Sequence, residues 1–323
     1  MMDLSLLWIG IIAFAVLMYV VLDGFDLGIG ILFPFFPEQA ERDVMMNTVA
    51  PIWDGNETWM VLGGASLFAA FPLAYATVLS ALYLPVILMV IALIFRGVAF
   101  EFRFKANSSK HWWDKAFIGG SVFSSFLQGV ILGAYIQGIR TEQGVYAGHG
   151  WLIFKTDQAL QQRMYRLMPK MLIGLLIVLA AVSIYTPITQ PHIAERWFSL
   201  PQLLYFSPVP ILVLIFTYLA LKACRQQQQF QPFLYTLALV FLAYSGFLIS
   251  LWPYIIPPSV SFWQAAAPES SQRFTLIGAL VLIPIILGYS AMSYWIFAIK
   301  SGWGMMAIIK ENRHEAHQGQ LFP

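Results

Sequence analysis

The sequence predicts an all-α integral membrane protein that crosses the bilayer eight times. Three observations carry this. Hydrophobic residues make up 59% of the 323 and charged residues only 11%, whereas a soluble domain carries about 25% charged residues. The mean hydropathy is +0.71. The apolar residues also come in continuous runs, the pattern of spanning helices and not the alternation of a barrel. The net charge of +2 is too small to point to nucleic acid. The single cysteine, Cys224, excludes an intrachain disulfide and a cysteine-rich metal site.

The first segment runs from about Leu4 to Phe33, longer than the roughly 20 residues a span needs. MMDLSLLW has no basic region or cleavage site, so this helix is expected to act as its own insertion signal. Pro34 and Pro37 end it, and EQAERD behind them reads as a short charged loop. Segments two (Ile52 to Phe71) and three (Ala76 to Phe100) are divided at Pro72. The charged loop EFRFKANSSKHWWDK leads to segment four, Ala116 to Ile136. A long loop reaches about Arg166, and four more segments follow: Met168 to Tyr185, Pro208 to Ala223, Phe233 to Tyr254 and Phe274 to Ile299. The organisation expected is one membrane domain with halves at 4–138 and 166–300 and a polar tail at 301–323. Eight crossings put both termini on one side, and the Lys and Arg residues of the loops favour the cytoplasm.

Polar residues at membrane depth cluster in the first half. Asp54 and Glu57 sit between Trp53 and Trp59 at the mouth of segment two, three residues apart and so near one helical face. An acid at the bilayer centre costs roughly 2.5–3.5 kcal/mol on the insertion scale, so it is expected to face a bundle interior or a wet cavity. The plain alternative is that both acids serve the free N–H groups and dipole of a helix start. Asp23 and Asp26 repeat the spacing in the first segment, among Gly24, Gly28 and Gly30. Segment three ends with Arg96 and Glu101, and segment four carries Gln128 and Gln137.

A polar set of Asp23, Asp26, Asp54, Glu57, Arg96 and Glu101 therefore belongs to the first three helices. One reading is a buried salt-bridge network that orders the bundle, with Asp26 or Asp54 paired to Arg96. The other is a path for protons or ions. His111, His149, His192, His314 and His317 all fall outside the predicted spans, where a histidine-ligated membrane haem would normally find its ligands. The thirteen methionines read as core filler. No nucleotide loop, H-E-x-x-H or C-x-x-C motif is present. Alone, the chain looks incomplete as a redox enzyme.

Three motifs in register, DGFDLGIG, ERDVMMNTVAPIWDGNETWMVLGGASLFAAFPLAYA and FRGVAFEFR, resemble subunit II of cytochrome bd-type ubiquinol oxidase. The likeness runs from about Leu4 to Gly138 and continues more loosely to the C-terminus, and WDGNETW is similar to the cyanide-insensitive branch. The resemblance implies two four-helix bundles and a heterodimer of the bacterial inner membrane with a haem-bearing subunit I. The complex would oxidise ubiquinol and reduce oxygen to water without pumping protons. It also implies two b-type haems and one d-type haem, chiefly in subunit I near the interface, a structural quinone in some members and a small accessory subunit. Carried over, Asp54 lies on a proton pathway with Glu57 beside it, and Trp59 on an oxygen route. Asp23, Asp26 and Arg96 match the family's buried polar residues, to which the first-half pattern adds Glu101. An ion-coupled secondary transporter is the competing class, since acids beside a Gly-interrupted helix are also what a carrier shows. A scaffold with no residue in any path is the third.

Overall fold

The structure, a computed structural model, describes residues 3–106, 108–136, 158–189, 191–200, 202–228, 230–257 and 260–318. The long helices are α1 (Leu4–Leu32), α3 (Trp53–Ala70), α4 (Pro72–Phe102), α5 (Lys110–Ile136), α6 (Gln158–Thr189), α9 (Pro208–Arg225), α10 (Gln231–Leu251) and α12 (Glu269–Gln318). Shorter ones lie at their ends: α2 (Gln39–Asn47), α7 (Pro191–Phe198), α8 (Gln202–Phe206) and α11 (Phe262–Ala265). Helices run through all eight predicted segments. Among the described residues, six stretches are long and apolar enough to cross a membrane: Leu4–Phe35, Pro72–Phe102, Lys110–Tyr135, Gln202–Arg225, Gln231–Leu251 and Glu269–Ile296. Of the predicted spans, α3 is short and carries Asp54 and Glu57, and α6 shows, among the described residues, a shorter apolar stretch at Leu167–Ile177.

Local chemistry sets the boundaries. Asp3 caps α1 by accepting from Leu6 N at 3.1 Å, and its second oxygen accepts from Trp263 Nε1 at 2.7 Å. These hydrogen bonds, the tryptophan's foremost, hold the Asp3 carboxyl below its ordinary pKa. Pro72 opens α4 at a position where a missing N–H costs nothing. Within α4, Leu82 leaves helical geometry (φ −113°, ψ 17°) three residues before Pro85, whose ring crowds the preceding turn.

Three predicted boundaries differ in the structure. The expected charged loop EQAERD lies largely in helix α2, which buries Met45 and Met46 beneath its charged face. Segment seven ends at Leu251, because Trp252 and Pro253 lead into a two-stranded antiparallel hairpin (Tyr254–Ile256 with Val260–Ser261). Predicted segment eight continues to Gln318, through most of the expected tail.

Helices α1, α3, α4 and α5 pack together, and α12 lies against α3 and α1. Helix α9 packs against α6 and α10. One apolar core lies at the end of the bundle where α1 stops, around Phe25, Phe33, Phe36, Phe100 and Phe117. Another lies at the opposite end, where Trp8, Phe71 and Phe262 meet and Ala267 N donates to Ala70 O at 2.8 Å. The outer faces stay apolar, with Phe126 62% and Leu280 65% exposed, as lipid or a membrane partner requires.

Close approach of α4 to α5 depends on Gly120. A Cβ there would lie 2.6 Å from Ala92 O and 2.9 Å from Arg96 N, backbone atoms that cannot swing away. Gly120→Ala is expected to cost about 1–3 kcal/mol of stability, read as a lower unfolding temperature in detergent. Gly119→Ala, where a Cβ meets nothing within 4 Å, should leave it unchanged.

Candidate functional site

Arg96 comes from the last third of α4 and is fully buried. Its Nη2 lies 2.7 Å from Asp23 Oδ1 and also pairs with Glu57 Oε1. Asp23 is as buried as the arginine, whereas 22% of the Glu57 side chain remains exposed. Arg96 Nε and Nη1 are buried without a protein hydrogen-bond partner. The pairing corrects the expected one: neither Asp26 nor Asp54 meets Arg96. Asp26, also fully buried, accepts instead from Asn56 Nδ2 at 3.3 and 3.2 Å. Asn56 Oδ1 in turn accepts from the Tyr294 hydroxyl at 3.1 Å. A tyrosine of α12 thus supports an acid of α1 through an amide of α3.

Asp54 occupies the first turn of α3 and is exposed, one turn before the half-buried Glu57. Trp59 is fully buried, edge-on to Phe14 with ring centres 5.7 Å apart, and its Nε1 donates to Ser290 Oγ at 3.4 Å.

Glu101 lies outside the buried group. It is exposed and pairs with the exposed Lys105 at 3.4 Å. At about 100° per residue, five residues place Glu101 some 140° around the helix from Arg96, while seven bring Arg103 back to the same side. Arg103 is fully buried and reaches Asp114 at 2.5 Å and Asp43 at 2.7 Å. Arg42 joins Asp114 at 2.9 Å and Lys110 joins Asp43 at 3.0 Å. Five charges of α2, α5 and the end of α4 thus alternate in sign across one end of the bundle. The spacing from Arg96 to Arg103 was the signal for this cluster in the sequence.

The sequence reading also missed partners on α1 and α5. Tyr19, Asp23, Asp26 and Gly30 follow a 4-3-4 spacing on α1, and Phe117, Ser121, Ser124 and Gln128 follow the same spacing on α5. All but Gln128 are buried, and Gln128 Nε2 donates to the Tyr19 hydroxyl at 2.7 Å. That is the contact stripe of two packed helices, here filled with polar groups.

Haem iron takes axial ligands such as histidine, methionine or cysteine. His111 is exposed beside Trp112, and Cys224 Sγ donates to Met168 Sδ at 3.3 Å inside an apolar core. Among the described residues no group of three or more His, Cys, Asp and Glu side chains is arranged to hold a metal ion. Gln137, assigned to segment four, and His149 of the long loop lie outside the described residues.

The family model described as cytochrome bd terminal oxidase subunit II matches residues 4–148 and 143–297. The chain belongs to this family. Cytochrome bd ubiquinol oxidase subunit 2 of Bacillus subtilis is 30% identical over 337 residues, covering 92% of this chain and 96% of that protein. Cytochrome bd-I ubiquinol oxidase subunit 2 of Escherichia coli K12 is 26% identical over 359 residues, covering 90% and 93%. The fold is shared with the bd oxidase structure from Geobacillus thermodenitrificans, at a TM-score of 0.73 and 15% identity, over 95% of this chain and 99% of that one. As a bd oxidase subunit, the chain is a component of an oxidoreductase complex of the respiratory chain and a multi-pass protein of the bacterial inner membrane. The carrier reading of the buried acids is not favoured by this membership.

Replacing Arg96 by Met leaves Asp23 and Glu57 facing each other without a cation. A loss of about 3–5 kcal/mol is expected, seen as reduced yield and a lower unfolding temperature. Lys105→Met, which breaks only the exposed pair with Glu101, should leave both near wild type.

Proposed function

We propose that this chain is the haem-poor partner of a two-subunit quinol oxidase of eight-helix, two-bundle architecture. The complex oxidises ubiquinol and reduces oxygen to water without pumping protons. Its two b-type haems and one d-type haem reside chiefly in subunit I near the interface. A structural quinone in this chain and a small accessory subunit are also part of the family's implied composition. The haems supply the electron transfer and oxygen chemistry when the complex is assembled. This chain supports the haem-bearing subunit, supplies a proton pathway through Asp54 and Glu57, and shapes an oxygen route at Trp59.

The observation that carries the proton reading is the gradation of exposure from the first turn of α3 inward to its partners on α1 and α4. Asp54 is open, Glu57 is half-buried, and the Arg96–Asp23 pair is fully enclosed. Glu57 bridges the enclosed pair and the surface and so hands a proton outward. Asp54 at the surface receives it and offers it to the haem-bearing subunit. With both termini in the cytoplasm, the first turn of α3 lies at the outer end of the bundle. Protons drawn from the cytoplasm then travel through most of the membrane thickness before reaching Asp54.

Asp54→Asn, made in the assembled oxidase, is expected to lower quinol oxidase turnover with the haem spectrum near wild type. Loss of the haems together with activity would make Asp54 structural and end the proton assignment.

A further inference from the structure

We infer that the cavity between α7, α8 and the end of α10 binds a phospholipid with a primary ammonium headgroup. The inference goes beyond the oxidase reading and uses none of the residues assigned to protons or oxygen. The cavity measures about 660 Å³, within the roughly 300–1,000 Å³ of ordinary ligand pockets. Glu195, Ser199, Gln202 and Phe206 line one side at a 4-3-4 spacing. Ser199 N donates to Glu195 O at 3.0 Å and Leu203 N to Ser199 O at 2.8 Å, so the winding continues from α7 into α8. That continuity keeps the four residues on one face. Leu248, Ile249 and Trp252, at the last turn and cap of α10, form the facing wall. Trp197 Nε1 donates to Ser250 Oγ at 3.1 Å and holds α7 against α10.

The cavity lies at the end of the molecule where α1 begins. Trp252 packs on Phe262 and Trp263, with ring centres 4.9 and 6.0 Å away, and Trp263 reaches Asp3. Phe198 and Tyr205, on α7 and α8, are exposed. Tryptophan and tyrosine gather at the level of lipid headgroups, so the cavity opens where a headgroup meets its acyl chains. Its lining is divided to match. Phe206, Leu248 and Ile249 offer a hydrocarbon surface, and Glu195 is the one charged residue among the described lining residues. Gln202 Oε1, which accepts from Ser199 Oγ at 3.3 Å, adds an acceptor. A carboxylate and an indole ring are both complements of a cation. A primary ammonium also brings three N–H donors, which the two acceptors can use. A quinone head has only acceptors to offer, and an anionic headgroup meets Glu195 like charge to like charge. A quaternary ammonium keeps the charge but has no N–H to give.

The test mixes the intact oxidase complex in detergent with equal amounts of phosphatidylethanolamine and phosphatidylglycerol. Mass spectrometry of the whole complex then counts the lipids retained. The wild-type complex is expected to keep phosphatidylethanolamine in preference. Glu195→Gln, a change at an exposed side chain, should weaken that retention about tenfold, the scale of one hydrogen bond to a charged group. Ile249→Trp, which fills the cavity, should abolish it with the haem spectrum unchanged. A preference that survives Glu195→Gln overturns the ammonium assignment, and retention unchanged in both variants overturns the site. Retention of phosphatidylglycerol or of a quinone that Ile249→Trp abolishes would overturn the assignment as well.

Discussion

The first half of this protein is arranged around one buried guanidinium. Arg96 is enclosed at a depth where an unpaired charge is not tolerated, so a carboxylate has to be brought to it from elsewhere. Asp23 of α1 and Glu57 of α3 answer, and their approach fixes the spacing of three helices at once. Small residues make the approach feasible. Gly97 admits the Trp53 ring, whose atoms would lie 3.1 Å from a Cβ, and Gly120 lets α5 lie against the Arg96 backbone. The hydrophobic packing around these contacts stabilises the bundle but is not directional. The ion group supplies the register.

Much of this was legible in the sequence, for a physical reason. Charged residues are so costly in lipid that their presence in apolar runs marks the interior of a bundle. Asp23, Asp26, Glu57 and Arg96 were identifiable on that ground alone. Which acid meets which base was not legible, because pairing depends on helix rotation and depth that no spacing within one helix determines. Asp26 and Asp54 were the expected partners, yet Asp26 is held by Asn56 and Asp54 faces outward. Glu101 shows a different limit. It was grouped with Arg96 by nearness in sequence, although five residues carry it to the far side of α4. The hairpin after Leu251 was hidden because Trp, Tyr and Ile extend the hydropathy of the preceding helix without extending its geometry.

The two ionic clusters of the first half have different characters. The group around Arg103 alternates five charges in a ladder at the bundle end, with Arg42, Asp43 and Lys110 partly exposed. It ties α2 and the start of α5 to the end of α4 and closes the apolar core below it. The group around Arg96 lies deeper, draws on α1, α3 and α4, and leaves polar atoms of the arginine without protein partners. The first has the form of a clasp. The second has unused hydrogen-bonding capacity, which a purely structural network would be expected to satisfy.

Tyr294 and Ser290 reach the polar centre from the last long helix, 238 and 231 residues beyond Asn56 and Trp59. Biosynthesis therefore delivers the acids to the bilayer long before it delivers these two hydroxyls. Until α12 inserts, the Asn56 amide and the Trp59 indole remain without these partners. A nascent or truncated chain thus differs from the finished one at the buried centre itself and not merely in its overall length. Membrane quality-control proteases that sense polar groups left open to lipid would have a clear mark by which to separate unfinished copies from those fit for assembly.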